Sequence, residues 1–222
     1  PLREAECDVD DAVHCFRYYA GLITKPQGGI YDVNQGFGRM HSYMVHEPIG
    51  VCALITPWNY PLLMSVRKLA PALAAGNSVI LKPASVTPAT SVKMFEILER
   101  TGIPEGAANL VLGPGGSVGS ELVENINVDM IAFTGSTEAG QQIARASVGN
   151  LKKTGLELGG KSPNIIFADS DLEQAVEWAM IGIFMNQGEI CSGGSRILIE
   201  SSMHDRFVSR LVERAEAMTI GN

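Results

Sequence analysis

Gly50-Val51-Cys52-Ala53-Leu54-Ile55-Thr56 is a run of strand length, residues 62–75 then read as a helix, and Ser78-Val79-Ile80-Leu81-Lys82 is a second such run. A strand with one wet face alternates apolar and polar residues. These runs are apolar on both faces, which points to parallel strands covered by helices on each side. Working outward, strand-like runs at 109–112, 130–134, 155–158, 164–167 and 196–200 alternate with helical stretches at 88–101, 117–125, 137–147, 172–185 and 203–218. The expected class is α/β, a Rossmann-like, mostly parallel sheet with helices on both faces. Thr87 before Pro88 and Asp171 before Leu172 supply capping chemistry at two helix starts. Upstream, residues 3–22 form an amphipathic pattern with Cys7, Val9, Val13, Phe16 and Tyr19 near a helical period. A Gly/Pro-rich break at 25–29 follows, and residues 39–46 alternate like one arm of a hairpin.

Composition narrows the function classes. The chain has 222 residues, 45% of them hydrophobic and 18% charged, which suits a globular domain. A net charge of −7 without a Lys/Arg cluster argues against a nucleic-acid partner. No apolar run reaches membrane-spanning length. Cys7, Cys15, Cys52 and Cys191 are scattered without CxxC spacing, so neither a disulfide framework nor a metal site is expected. A reducing compartment follows, the cytoplasm first and the mitochondrial matrix second. Pro1 is not an initiator methionine and Ile220-Gly221-Asn222 closes nothing, so the chain reads as part of a longer polypeptide.

Chemistry is expected beyond the carboxyl ends of the strands, where open α/β sheets bind ligands. Gly113-Pro114-Gly115-Gly116-Ser117-Val118-Gly119 follows one strand, either as a dinucleotide-binding turn or as a plain tight turn. Phe133-Thr134-Gly135-Ser136-Thr137 aims free N–H groups at an anion, or simply caps a helix. Lys82 ends a strand, and reaches a ligand's ribose or is merely solvated. Cys191 lies in a loop of small residues, as a reactive cysteine or as an incidental loop thiol, whereas Cys7, Cys15 and Cys52 fit structural roles. Glu157 sits between Leu156 and Leu158, and a buried carboxylate there needs a function or an ion pair with Lys161 or Lys153. Asn59 can donate to an oxyanion, or be a turn asparagine.

The ordered set Thr56-Pro57-Trp58-Asn59, Leu81-Lys82-Pro83-Ala84-Ser85, Phe133-Thr134-Gly135-Ser136-Thr137, Leu156-Glu157-Leu158-Gly159-Gly160-Lys161 and Gly188-Glu189-Ile190-Cys191 resembles the aldehyde dehydrogenase superfamily throughout the chain. The resemblance implies an oxidoreductase that turns an aldehyde into a carboxylic acid with NAD or NADP, through a cysteine thiohemiacetal and a thioester. It makes Cys191 the nucleophile, Asn59 and the Cys191 N–H the oxyanion hole, Glu157 the general base and Lys68 a proton relay. It places Ile55, Thr56, Pro57, Trp58, Lys82, Ser85, Gly115, Gly119, Phe133, Thr134, Gly135, Ser136, Leu158 and Gly159 along the cofactor cleft. It divides the chain into a partial NAD(P)-binding domain (1–28 and 49–158), an oligomerisation hairpin (29–48) and the start of a catalytic domain (159–222). A homodimer or homotetramer is implied for the full-length enzyme.

Two positions depart from the family pattern. Glu189 stands where glutamine is usual, adding a carboxylate near Cys191. Ser85 stands where NAD-preferring members often carry glutamate, so nothing there repels a 2′-phosphate and NADP is expected to be tolerated. For the substrate, the wording around Cys191 is similar to betaine-aldehyde and aminoaldehyde dehydrogenases, with Tyr60 contributing to an aromatic box. Arg67 is similar instead to succinate-semialdehyde dehydrogenases, whose second arginine is Met185 here. Both readings stand at this point.

Overall fold

The computed structural model describes residues 2–25, 28–34, 36 and 38–221; Pro26 and Gln27 of the expected break lie outside them. In chain order the elements are α1 (Leu2–Leu22), β1 (Gly29–Asn34), β2 (Arg39–Met44), β3 (Val51–Ile55), α2 (Pro61–Ala74), β4 (Ser78–Lys82), α3 (Ala89–Leu98) and β5 (Ala108–Leu110). They continue through a π-helical turn (Gly115–Gly119), α4 (Ser120–Glu124), β6 (Met130–Gly135), α5 (Thr137–Ser147), β7 (Lys153–Leu158), β8 (Pro163–Ile166), α6 (Leu172–Phe184), β9 (Arg196–Ile199) and α7 (His204–Glu216). The chain divides into a larger unit, residues 5–157, and a smaller one, residues 1–4 with 158–222.

In the larger unit the sheet order is β5-β4-β3-β6-β7. β3 pairs in parallel with β4 and β6, and β4 in parallel with β5. Successive side chains of a strand point to opposite faces. Cys52, Ala53, Leu54 and Ile55 are all buried, so both faces of β3 are covered, as the apolar run requires. Leu54, Val79 and Leu81 of the sheet meet Val66 and Leu69 of α2 and Met94 and Phe95 of α3 in one core, joined by Ala12 of α1. The start of β3 is fixed by polar contacts. Asn77 Oδ1 accepts from the Ile49 and Gly50 N–H groups at 2.7 and 3.1 Å, and Asp129 Oδ2 accepts from Val51 N–H at 2.8 Å. Gly50 adopts φ +125°, and a Cβ there would run into the Asp129 carboxylate. β1 and β2 pair in an antiparallel hairpin with Gly29 opposite Met44, as the alternation of 39–46 suggests.

The smaller unit has β8 and β9 in parallel, Pro163 opposite Arg196. Ile166, Val176, Ala179, Met203 and Phe207 form its own core. Asp171 caps α6, its Oδ1 accepting from Gln174 N–H at 2.9 Å, as expected.

Three expectations need correction. Thr87 caps nothing: α3 starts at Ala89 with Pro88 as its cap residue, and the Thr87 hydroxyl is buried without a partner among the described residues. The inward stripe of α1 is Asp8, Ala12, Cys15, Phe16 and Tyr19, while Val9 and Val13 are exposed. Cys7 is exposed as well, so it is not a core thiol; Cys52 is buried and Cys15 half-buried. The true stripe contains an acid, which a hydrophobic period cannot reveal.

Candidate functional site

The chain lays down β3, β4 and β5 in one direction across the sheet, then returns to place β6 on the other side of β3. Loops leaving β3 and β6 therefore diverge, and the space beyond these two strands is the switch point where such sheets open a crevice. Ile55 is in register with Lys82 on one side and Phe133 on the other, so three strand ends lie level. They deliver Thr56-Pro57-Trp58-Asn59-Tyr60, Lys82 to Ser85, and Thr134-Gly135-Ser136 to the same edge. Ile55, Thr56 and Phe133 have buried side chains, so they offer a ligand only main-chain groups. Trp58 is 47% exposed, and Asn59 and Tyr60 are half-buried.

Lys82 is not a solvated strand-end lysine: it is 3% exposed. Its Nζ donates to the Pro83 carbonyl at 3.1 Å, and its methylene stem passes beside Gly119. Burial pulls its ammonium pKa down from the ordinary value. Ser85 donates its hydroxyl proton to the Gly113 carbonyl at 2.8 Å, tying the β4 loop to the glycine-rich turn. Gly115 and Gly116 have nothing within 4 Å of where a Cβ would stand, which leaves their backbone open to close approach. Ser136 caps α5, accepting from Ala139 N–H at 3.2 Å. Side-chain capping consumes one donor of the first turn and leaves others available to an anion.

α2 carries Arg67 and Lys68 on consecutive positions. Lys68 is half-buried, and its pKa falls to about 8. Desolvation is the main cause, the Arg67 charge adds to it, and Glu157 opposes it. Glu157, near the end of β7, is exposed while Leu156 and Leu158 are half-buried. Strand alternation puts the carboxylate on the face opposite the leucines, so the expected desolvation between them does not occur. Its negative charge acts on Lys68, favouring the ammonium.

Cys191, Leu158 and Gly159 belong to the smaller unit. The thiol is exposed. Its loop follows α6 through three consecutive left-handed residues, Asn186, Gln187 and Gly188 at φ 47°, 62° and 80°. Such conformations in non-glycine residues persist only where the surroundings enforce them. Gly193 N–H bonds the Ile190 carbonyl at 3.1 Å and Gly194 N–H the Gly182 carbonyl at 2.9 Å, folding the loop back on α6. A Cβ at Gly160 would stand 3.4 Å from the Cys191 carbonyl, so these small residues allow close packing around the cysteine main chain.

Sequence reasoning overlooked two groups beneath the Asn59 loop. Asp8 is 7% exposed, and its Oδ2 and Oδ1 accept from Leu62 and Leu63 N–H, each at 3.0 Å. Burial pushes its carboxyl pKa up, the two N–H groups pull it down, and Asp11 adds a smaller upward push. Ser65, fully buried, donates to the Pro61 carbonyl at 2.7 Å and lies 3.3 and 3.1 Å from the Thr56 and Ser91 hydroxyls. No signal in the sequence singles out Asp8, since an acid on a helix reads as solvent-facing until its partners are known.

A doubly wound sheet with polar side chains gathered beyond its carboxyl ends is the architecture of the nucleotide-binding α/β proteins. The model of the aldehyde dehydrogenase family matches residues 1–222, and the chain belongs to that family. It is 51% identical over 221 residues to the betaine aldehyde dehydrogenase of Bacillus subtilis (strain 168), covering 100% of this chain and 45% of that protein. Retinal dehydrogenase 2 of Homo sapiens is 48% identical over 216 residues, covering 97% of this chain and 41% of that protein. The solved structure of Staphylococcus aureus betaine aldehyde dehydrogenase in complex with NAD+ superimposes with a TM-score of 0.94 at 43% identity, covering 100% of this chain and 44% of that one. The chain thus spans less than half the length of these relatives.

Proposed function

We propose that the protein containing this chain oxidises an aldehyde to a carboxylic acid with NAD(P)+. The observation that carries the reading is the level ends of β3, β4 and β6, which deliver Asn59, buried Lys82 and Ser136 to one edge of the sheet. On α2, burial lowers the Lys68 ammonium to a pKa of about 8, where it can hold or release a proton near neutrality. The chain's residues fit a dinucleotide. Buried Lys82 and exposed Ser85 suit the adenosine ribose, Ser136 and the α5 N-terminus suit the pyrophosphate, and Trp58, Gly115, Gly119 and Gly135 line the approach. Ser85 has given its proton to Gly113, so it offers an acceptor to a 2′-hydroxyl, while nothing acidic at this position repels a 2′-phosphate. Both dinucleotides are accepted in this reading, which initial rates with each will test.

In the reaction the Cys191 thiolate adds to the aldehyde carbon, and the Asn59 amide with the Cys191 N–H stabilises the oxyanion of the thiohemiacetal. When bound, the nicotinamide supplies the two-electron acceptor that takes this adduct to a thioester. Glu157 then removes a proton from the attacking water, the carbon–sulfur bond breaks, and the thiolate and the acid are released. Lys68 passes the proton from Glu157 onward. A burst of NAD(P)H with propanal, without coenzyme A, is expected and should vanish in Cys191→Ala; a burst that survives would overturn the assignment.

The proposed substrate is a betaine-aldehyde or aminoaldehyde type, supported by the 51% identity to a betaine aldehyde dehydrogenase and by Tyr60 at the head of α2. A second reading, a carboxylate-tailed aldehyde such as succinate semialdehyde, is favoured by Arg67, which is exposed beside Lys68 and would attract a carboxylate and repel a trimethylammonium. The kcat/KM ratio for the two aldehydes separates the readings. The assignment of 1–28 and 49–158 to NAD(P) binding, 29–48 to oligomerisation and 159–222 to a catalytic domain belongs to this proposal. So do a homodimer or homotetramer built on the hairpin, whose Ile30, Tyr31 and Tyr43 are exposed, and a reducing, cytoplasmic setting. Among the described residues no helix is long and apolar enough to cross a membrane.

A further inference from the structure

We infer that Asp8 is a positioning residue for the oxyanion step: from α1 it fixes the start of α2 and thereby the loop that presents Asn59. The inference rests on the proposed role of Asn59. α2 has an unusual beginning. Pro61 has no N–H to cap, Tyr60 provides no side-chain cap, and the first free donors are those of Leu62 and Leu63. Asp8, more than fifty residues earlier, takes both of them, one on each carboxylate oxygen. Its negative charge also faces the positive end of the helix dipole. The other end of the loop is held separately. Because Ser65 spends its only proton on the Pro61 carbonyl, the Thr56 and Ser91 hydroxyls must donate to it, so the residue ending the strand and the residue opening the helix share one buried hub. Residues 57–60 therefore span two anchored points, and Asn59 sits between them. Without Asp8 the helix start loses one anchor, and the amide moves relative to the adduct it must meet.

The test is a double-mutant cycle in the full-length enzyme, read by the NAD(P)H burst. Asp8→Ala should slow the burst about 10- to 100-fold, up to the cost of a misplaced group and below that of losing an oxyanion donor outright. KM for the dinucleotide should stay within about 2-fold, since a positioning loss falls on the reaction step. Asp8→Asn, which keeps one acceptor, should fall between Asp8→Ala and the unsubstituted enzyme, and that remaining loss carries the same cycle if the alanine variant does not fold. In an Asn59→Ala background the Asp8 substitution should add no more than roughly 2-fold. An unchanged burst in Asp8→Ala, or the same loss with and without Asn59, overturns the inference and leaves Asp8 a cap of purely structural value. A full burst in Asn59→Ala alone refutes instead the role given to Asn59.

Discussion

Lys68 provides the sharpest prediction. Its ammonium is half-buried on α2, and its pKa lies at about 8 instead of the ordinary 10.5. Near pH 7.4 about one fifth of Lys68 side chains would be neutral, against roughly one in a thousand for an unperturbed lysine. The reactive fraction is then enriched roughly two-hundredfold, before any loss from restricted access. Competitive labelling with a limiting acylating reagent across a pH series, followed by peptide mass spectrometry, reads this midpoint directly. Glu157→Gln removes the charge that holds the proton on, so the midpoint should drop further. Arg67→Ala removes a repelling cation, so it should climb. The linkage to stability has a definite sign. The folded-state pKa lies below the unfolded one, so folding disfavours the ammonium, and stability should rise as pH climbs from about 8 to 10.5. The gain is at most about 3 kcal/mol, reduced by the hydration the group retains. A labelling midpoint near 10.5, or one unmoved by both substitutions, would refute the reasoning and remove the proton relay with it.

Three further outcomes concern the scaffold. Gly50→Ala should lower stability by about 2 kcal/mol or more, because φ +125° is hostile to a Cβ that would also strike the Asp129 carboxylate; an unchanged melting curve would contradict this. Asp171→Ala should cost about 1 kcal/mol through the lost Gln174 N–H bond, with Asp171→Ser close to neutral in the same denaturant titration. Phe207→Ala empties a fully buried position in the smaller unit and should cost about 3–5 kcal/mol; a loss below about 1 kcal/mol would mean that this core is not formed in solution.

The elements themselves were written locally. The runs around Leu54, Leu81 and Ile131 are buried at their centres, so their apolar character had to appear in the sequence, and Asp171 caps the helix directly behind it. The motifs that mark the family are also local: four lie at a strand end or just after it, and the fifth, Gly188 to Cys191, lies in the loop after α6, each a short window of the sequence. What stays hidden in the sequence is any choice made between distant segments. Strand order places β6 beside β3 and so creates the switch point. Asp8 finds Leu62 and Leu63, and Glu157 on β7 acts on Lys68 of α2. Thr87 shows the converse: a good local signal goes unused once α3 begins two residues later. Local propensity and periodicity are properties of short windows. Burial, pKa and hydrogen-bond partnership depend on which surfaces meet, and that is decided only when the chain packs.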